Sequence, residues 1–566
     1  MPICGLRISP GKYGDLIENN LTDLRKNNVL DRIWSGGYSV WKPEPAGISD
    51  RLGWLRITRE MRENTDRFHR LALDIQSCGY TDILLLGMGG SSLAPEVFRK
   101  SFGVFDGYPD LDVLDSTHPG AILHHADRLD PAKTLFIVAT KSGTTTETIS
   151  FLKYFYNWIS DRLPSEAAGD HFIVITDPGS MLAELADRYS FRDTYINTPD
   201  IGGRFSALSY FGLVPAALMG VDIRRILHSS LEMEKLCRED ALSMERGNPG
   251  GILGATIGTL ALAGRDKLTI ITSPGIASFG NWVEQLIAES TGKEGKGILP
   301  VVGEPVGPPG VYGDDRVFVY LKMVGDDLHD ETVDVLEDAG NPVVRLSIND
   351  LYGLGGQFFL WEMATAVACW FLKINPFDQP DVEASKILTG KMLEDYARDG
   401  RLSYETPVLI CDGISVYGKS LSKNMEGMLE TFFEQAESGG YVAIQAYVQP
   451  TDKTDRALNE LRTGIRDRYG LATTAGYGPR YLHSTGQLHK GDAGRGLFIQ
   501  LTADDARDVP IPDEMESGVS TVSFSVLKRA QAMGDRNALL NAGRRVIRFH
   551  LGADILGGIE TLMAAM

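Results

Sequence analysis

Cysteine is scarce in this chain of 566 residues: Cys4, Cys78, Cys237, Cys369 and Cys411 are scattered, odd in number and never in CxxC spacing. That pattern predicts reduced thiols and excludes a disulfide frame or a zinc knuckle. Positive charge is in deficit too, with 56 Lys and Arg against 75 Asp and Glu, a net charge of −19. A chain so acidic makes a poor partner for nucleic acid or an anionic membrane, whose binding rests on basic surface. No apolar run reaches the length of a membrane span. The opening MPICGLRISPGKYG lacks a charged segment followed by an apolar one, so a cytoplasmic protein is expected. Low-complexity linkers and short-period repeats are missing as well.

What is present reads as a globular enzyme of two to four domains. The hydrophobic fraction of 43% against 23% charged leaves no sign of disorder. Residues 1–50 read as an N-terminal arm leading into the first domain. From 51 to 221 short apolar strands (DILLLG 82–87, TLFIVAT 134–140, HFIVITD 171–177) alternate with helices. A second such unit spans 222–399, with KLTIITS (267–273), RVFVYLKM (316–323) and PVVRLSI (342–348). Continuous apolar strands alternating with helices predict an α/β fold of two doubly wound, mostly parallel sheets. Residues 400–566 read as a further α/β segment that packs with the second domain, with the strands of 400–470 completing its sheet.

Two strand-to-helix turns stand out. LLLGMGGSSLAPE places Gly89, Gly90 and Ser91 where an apolar strand gives way to a helix. Glycines let the backbone approach a ligand, and the helix start offers free N–H groups to an anion. Ser92 stands where GxGxxG would have its last Gly, so a dinucleotide is disfavoured. A plain tight turn is the bland alternative. The next turn, VATKSGTTTETIS, packs Lys141, Ser142, Gly143, Thr144, Thr145 and Thr146 between a strand and a helix. One Thr with Glu147 behind it would satisfy a helix cap. The run of hydroxyls exceeds that need and suits a phosphate's three oxygens.

Together the two turns resemble a sugar isomerase domain, the phosphosugar-binding module. DIGGRFSALS (200–209), WVEQLIAESTGKEGKGILP (282–300) and NPFDQPDVEASK (375–386) then resemble, in family order, three signature segments of the phosphoglucose isomerase family. The whole chain most resembles the isomerase part of bifunctional transaldolase/phosphoglucose isomerase fusions, without a transaldolase barrel. The third segment departs at Asp381, where the family usually has Gly or Ala.

The resemblance implies reversible isomerisation of glucose 6-phosphate and fructose 6-phosphate. A proton moves between C1 and C2 through an enediol, with neither metal nor cofactor. It implies Glu289 as the base, Arg204 stabilising the enediolate, Lys386 assisting at the ring oxygen, and Gln379 holding the sugar. The family's ring-opening histidine lies between the glutamate and the last signature. The only His there is His329, in the solvated-looking GDDLHDE, and Phe358 stands where some members have the histidine. The string LHSTGQ (482–487) resembles the histidine segment of short bacterial members, which makes His483 the expected replacement and His489 the runner-up, an exposed loop residue beside Lys490 being the bland alternative for the latter. Family members are commonly dimers that borrow this histidine from the neighbour; supplied in cis, it permits a monomer or a homodimer.

Other readings carry less. An isomerase acting on mannose 6-phosphate as well would use the same turns. A non-catalytic phosphosugar-binding regulator usually has a basic DNA-binding unit, at odds with the acidic charge. Glucosamine-6-phosphate synthesis would need a cysteine-nucleophile domain following Cys4.

Overall fold

The computed structural model describes residues 5–566 apart from 245, 404, 420 and 421, so Cys4 lies outside the described residues. Three main sheets organise the chain. In the first, five parallel strands run in the order Asp110–Leu114, Asp82–Gly87, Thr134–Ala139, Phe172–Thr176, Asp193–Ile196. The three expected strands are buried nearly throughout, as a parallel sheet covered by helices on both faces requires.

The second sheet runs Val343–Ile348, Arg316–Met323, Lys267–Thr272, Leu299–Val302 in parallel, with Arg7–Ser9 added antiparallel at one edge. The N-terminal arm therefore belongs to this second sheet rather than leading into the first. Side chains from both sheets share one large core, in which Leu85 and Ile137 join Val319 and Val344. The helix Leu354–Leu372 is apolar on every side and is buried along almost its whole length, as such a helix must be.

Residues 400–566 do not complete the second sheet. They build a sheet of their own: Leu409–Cys411, Ile414–Tyr417, Arg545–His550, Gly496–Thr502, Tyr441–Tyr447, Ala472–Tyr477. The last four of these pair parallel with one another. Each has a crossover segment long enough to return the chain to its own neighbour, so their hydrogen bonds are spent within the unit. The two sheets meet through side chains instead. Leu299 and Val301 of the second pack with Tyr441, Ala472 and Phe498 of the third. No helix among the described residues is long and apolar enough to cross a membrane.

Candidate active site

The turn Gly89–Ser91 follows the strand Asp82–Gly87. Gly89 has φ +54°, and a Cβ there would come within 2.8 Å of Gln285 Nε2 and 2.9 Å of the His483 carbonyl oxygen. A Cβ on Gly90 would sit 2.1 Å from the Gly203 carbonyl oxygen. The two glycines therefore let three segments close on one point: this turn, the Gly203–Phe205 turn carrying Arg204, and the His483 segment of the third unit. Ser91 is buried there.

The second turn opens the helix Thr146–Ser160. Thr145 at its N-cap makes no side-chain cap bond and instead shares a hydrogen bond with Thr140 Oγ1 at 2.8 Å. Ser142 Oγ accepts from the Thr144 N–H at 3.2 Å and from Thr144 Oγ1 at 3.1 Å. Ser142, Thr144 and Thr146 are exposed, so the hydroxyl donors of Ser142 and Thr146 are open to a ligand, and Gly143 (φ +73°) folds against Ser180 and Leu182. Lys141 departs from its expected role: it is ion-paired with Asp177 and donates to the Pro199 carbonyl at 2.8 Å. It reaches a phosphate only by leaving both.

Glu289 lies at the end of the helix Ser278–Thr291. Its Oε1 is 3.3 Å from Arg204 Nη1, and its Oε2 accepts from Gln285 Nε2 at 3.1 Å. The same Gln285 amide donates to the His483 carbonyl at 2.7 Å. Arg204 is buried and fully committed: Nε to Ser290 Oγ (2.8 Å), Nη1 to Gln379 Oε1 (3.0 Å), Nη2 to the carbonyls of Pro376 (2.6 Å) and Asp378 (3.0 Å). Glu289, Arg204, Gln379 and the His483 backbone thus form one connected group.

The His483 ring reaches the first domain. Its Nε2 is 3.1 Å from Glu147 Oε1, and the same oxygen accepts from Gln531 Nε2 at 2.7 Å. Burial opposes ionisation of Glu147, but the charge and hydrogen bond of His483, its own backbone N–H and Lys386 outweigh it and hold the carboxyl below its ordinary value. An ionised carboxylate only accepts, so Nε2 carries the proton and Nδ1 is left for a ligand. Glu147 is thus the carboxylate partner of the histidine rather than only the helix-start residue its position after the threonines suggested. Lys386 is not drawn into the group; it stands on the surface, 3.6 Å from Glu383, and acts on Glu147 by charge alone.

His489 is buried rather than exposed, because the short helix Gly486–Gly491 packs beneath the third sheet. Burial, with Lys490 and Arg544 beside it, pushes its pKa down to about 3, so it is a neutral core imidazole. Asp381 is tied to the histidine segment: Gln487 donates to its carboxylate at 2.5 Å and to the Gly292 carbonyl at 2.9 Å, and accepts from the Asp381 N–H at 2.8 Å. Glu284 was not singled out from the sequence. Burial lifts its pKa to about 7 against the opposing charges of Arg480 and Arg462, and it faces Ser484 Oγ at 3.4 Å.

A model of the phosphoglucose isomerase family matches residues 57–297, which includes both turns, Arg204 and Glu289 but ends before Gln379, Lys386 and His483. The glucose-6-phosphate isomerase of Rubrobacter xylanophilus is 30% identical over 406 residues, 63% of this chain and 91% of that protein. That of a Thermus thermophilus strain is 28% identical over 389 residues, covering 60% and 90%. Among solved structures, a glucose-6-phosphate isomerase from Chlamydia trachomatis superposes with a TM-score of 0.60 at 16% identity, over 70% of this chain and 89% of that one. A hypothetical protein from Thermus thermophilus gives 0.57 at 24% identity, over 69% and 99%. At those identities the solved structures speak for the fold.

Proposed function

Because the chain belongs to the phosphoglucose isomerase family, we propose that it interconverts glucose 6-phosphate and fructose 6-phosphate with Glu289 as the base. The observation that carries this is the Arg204–Glu289 pair at 3.3 Å, beside two hydroxyl- and glycine-rich turns. A single carboxylate within reach of C1 and C2 takes the proton from one carbon and returns it to the other. The buried guanidinium of Arg204, fixed by four other hydrogen bonds, meets the negative charge that develops on the enediolate oxygen without having to reorganise. Ser142, Thr144, Thr145 and Thr146, with Gly89, Gly90 and Ser91, take the phosphate, and Gln379 orients the sugar.

Ring opening falls to His483. With Nε2 bound to Glu147, its Nδ1 exchanges a proton with the ring oxygen. Lys386 approaches from the surface once the sugar is bound. The reading extends to a metal-free reaction in the cytoplasm, carried out by a monomer or a homodimer whose sites are each complete in one chain. A coupled assay tests it: fructose 6-phosphate supplied, glucose 6-phosphate detected, EDTA present, with the Glu289→Gln variant alongside. Activity that survives EDTA and collapses in the variant is the expected result. Activity lost to EDTA, or retained by the variant, overturns the metal-free, Glu289-based mechanism.

A further inference from the structure

The short turn Arg480–His483 follows the strand Ala472–Tyr477 and is held from three sides. Within the third unit, Tyr481 donates to Asp535 at 2.7 Å. From the second, Gln285 donates to the His483 carbonyl at 2.7 Å, and the Glu284 carboxyl on the same helix lies 3.4 Å from Ser484 Oγ. Toward the first unit the turn has two polar ties among the described residues. One is the His483 ring on Glu147; the other is the guanidinium of Arg480.

Arg480 spreads its fork over two buried acids. Nη2 pairs with Glu96 Oε2, while Nη1 lies 3.4 Å from Glu96 Oε1 and 3.2 Å from Asp115 Oδ2. Glu96 stands one turn into the helix Leu93–Phe102, and its N–H donates to the carbonyl of Ser92, the residue after the turn Gly89–Ser91. Asp115 follows the strand Asp110–Leu114, beside the end of the strand that feeds the same turn. Gly89 itself lies against the His483 backbone. Arg480 therefore ties the histidine turn to both elements that frame Gly89–Ser91, through charge-assisted pairs of the strong, forked kind. Burial opposes ionisation of Glu96, but Arg480 and the exposed Lys100 outweigh it and hold the carboxyl down to about 2, so the pair is charged at neutrality.

The contact between His483 and Glu147 is a poor strut, because that imidazole has to exchange a proton with the sugar. A bound sugar spans from its phosphate at the glycine turn to its ring oxygen at the imidazole, so the height of the ring over the turn decides whether the two meet. A misplacement of about 1 Å costs up to about 10²-fold in rate. We propose that Arg480 is a positioning residue for ring opening, its grip on Glu96 and Asp115 setting the distance between the phosphate-binding turn and the His483 imidazole. This rests on the reading in which His483 opens the ring.

Ring opening is measured by itself in a Glu289→Gln background, where isomerisation is blocked and exchange between the α and β anomers of glucose 6-phosphate is followed by NMR above its uncatalysed rate. Into that background go His483→Ala, Arg480→Met, Arg480→Lys, Glu96→Gln, the Arg480→Met/Glu96→Gln pair and, as a control, Lys100→Ala. His483→Ala is expected to abolish the catalysed exchange. Arg480→Met is expected to slow it about ten-fold or more at saturating sugar, with the half-saturating concentration held within about two-fold. Arg480→Lys keeps the charge but not the fork, and falls between Arg480→Met and the parent. Glu96→Gln also slows the exchange, and the double variant is no slower than Arg480→Met, since both changes break one link. Lys100→Ala changes nothing. Undiminished exchange in Arg480→Met, additive losses in the double variant, or a loss that comes from weaker sugar binding overturns the positioning role. If Arg480→Met does not fold, Arg480→Lys and Glu96→Gln carry the test, and undiminished exchange in both overturns it. Exchange that survives His483→Ala defeats the ring-opening reading itself, and this inference with it.

Discussion

In the proposed reaction the base that shuttles a proton between neighbouring carbons needs a fixed counter-charge, and Glu289, the residue proposed for it, has one in Arg204 at 3.3 Å. Glu289→Gln removes the base and keeps the shape. Its kcat is expected to fall about 10²–10⁴-fold with an unchanged circular dichroism spectrum. The His483–Glu147 pair makes a second prediction. A carboxyl whose pKa is lowered by folding stabilises the protein above its ordinary value near 4.5, and that contribution is lost as pH falls through the lowered folded value. The stability gap between wild type and Glu147→Gln, read by urea unfolding, is therefore expected to be widest near neutrality and to close in acid. A gap that grew in acid would contradict the pairing. Arg204 and Glu289 could be found from the sequence because each lies in a short signature whose neighbours shape it. Glu147 and His483 are 336 residues apart, and Gln531 is 384 from Glu147, so no local pattern could have joined them.

At the scale of elements, the clip between Gln487 and Asp381 explains the departure from the family signature: the acid that replaces a small residue anchors the histidine segment. Asp381→Ala is expected to loosen that segment, lowering kcat several-fold while leaving KM nearly unchanged; equal losses in Asp381→Ala and Asp381→Asn would show that the carboxylate itself matters, beyond its volume. The helix Leu354–Leu372 carries a different strain. Glu362 is wholly buried, both its carboxyl oxygens lack partners among the described residues, and burial holds its pKa well above 4.5. The folded protein keeps it protonated while the unfolded chain ionises, so rising pH favours unfolding by up to about 1.4 kcal/mol per unit. Glu362→Gln should melt higher than wild type, by a margin that widens from pH 5 to pH 8 in differential scanning calorimetry. Element by element, the fully buried parallel strands were plain in the sequence because both their faces are apolar. Arg545–His550 (RVIRFH) was not, since its two arginines and its histidine break the run. Leu299–Val302 was hidden by its Pro300, which a strand tolerates only at an edge, where it lies.

Over the whole molecule, the third sheet is the feature least visible beforehand. Most of its strands, though not Ile414–Tyr417 or Arg545–His550, are recognisable in the sequence, but which sheet they join depends on pairing partners that no periodicity encodes. The turn after its strand Ala472–Tyr477 brings His483 to Glu147 of the same chain, between two units that share a core of Phe136 and Phe151 with Phe524 and Leu527. Specific activity is accordingly expected to stay constant on dilution to concentrations where a dimer would part, as followed by stopped assays at nanomolar enzyme. A further consequence is genetic. When a catalytic group is lent between subunits, two differently broken copies can repair each other by mixing. With the site proposed to be complete in one chain, a Glu289→Gln copy and a His483→Ala copy would each lack part of their own site, so a cell carrying both alleles is expected to gain nothing from having two.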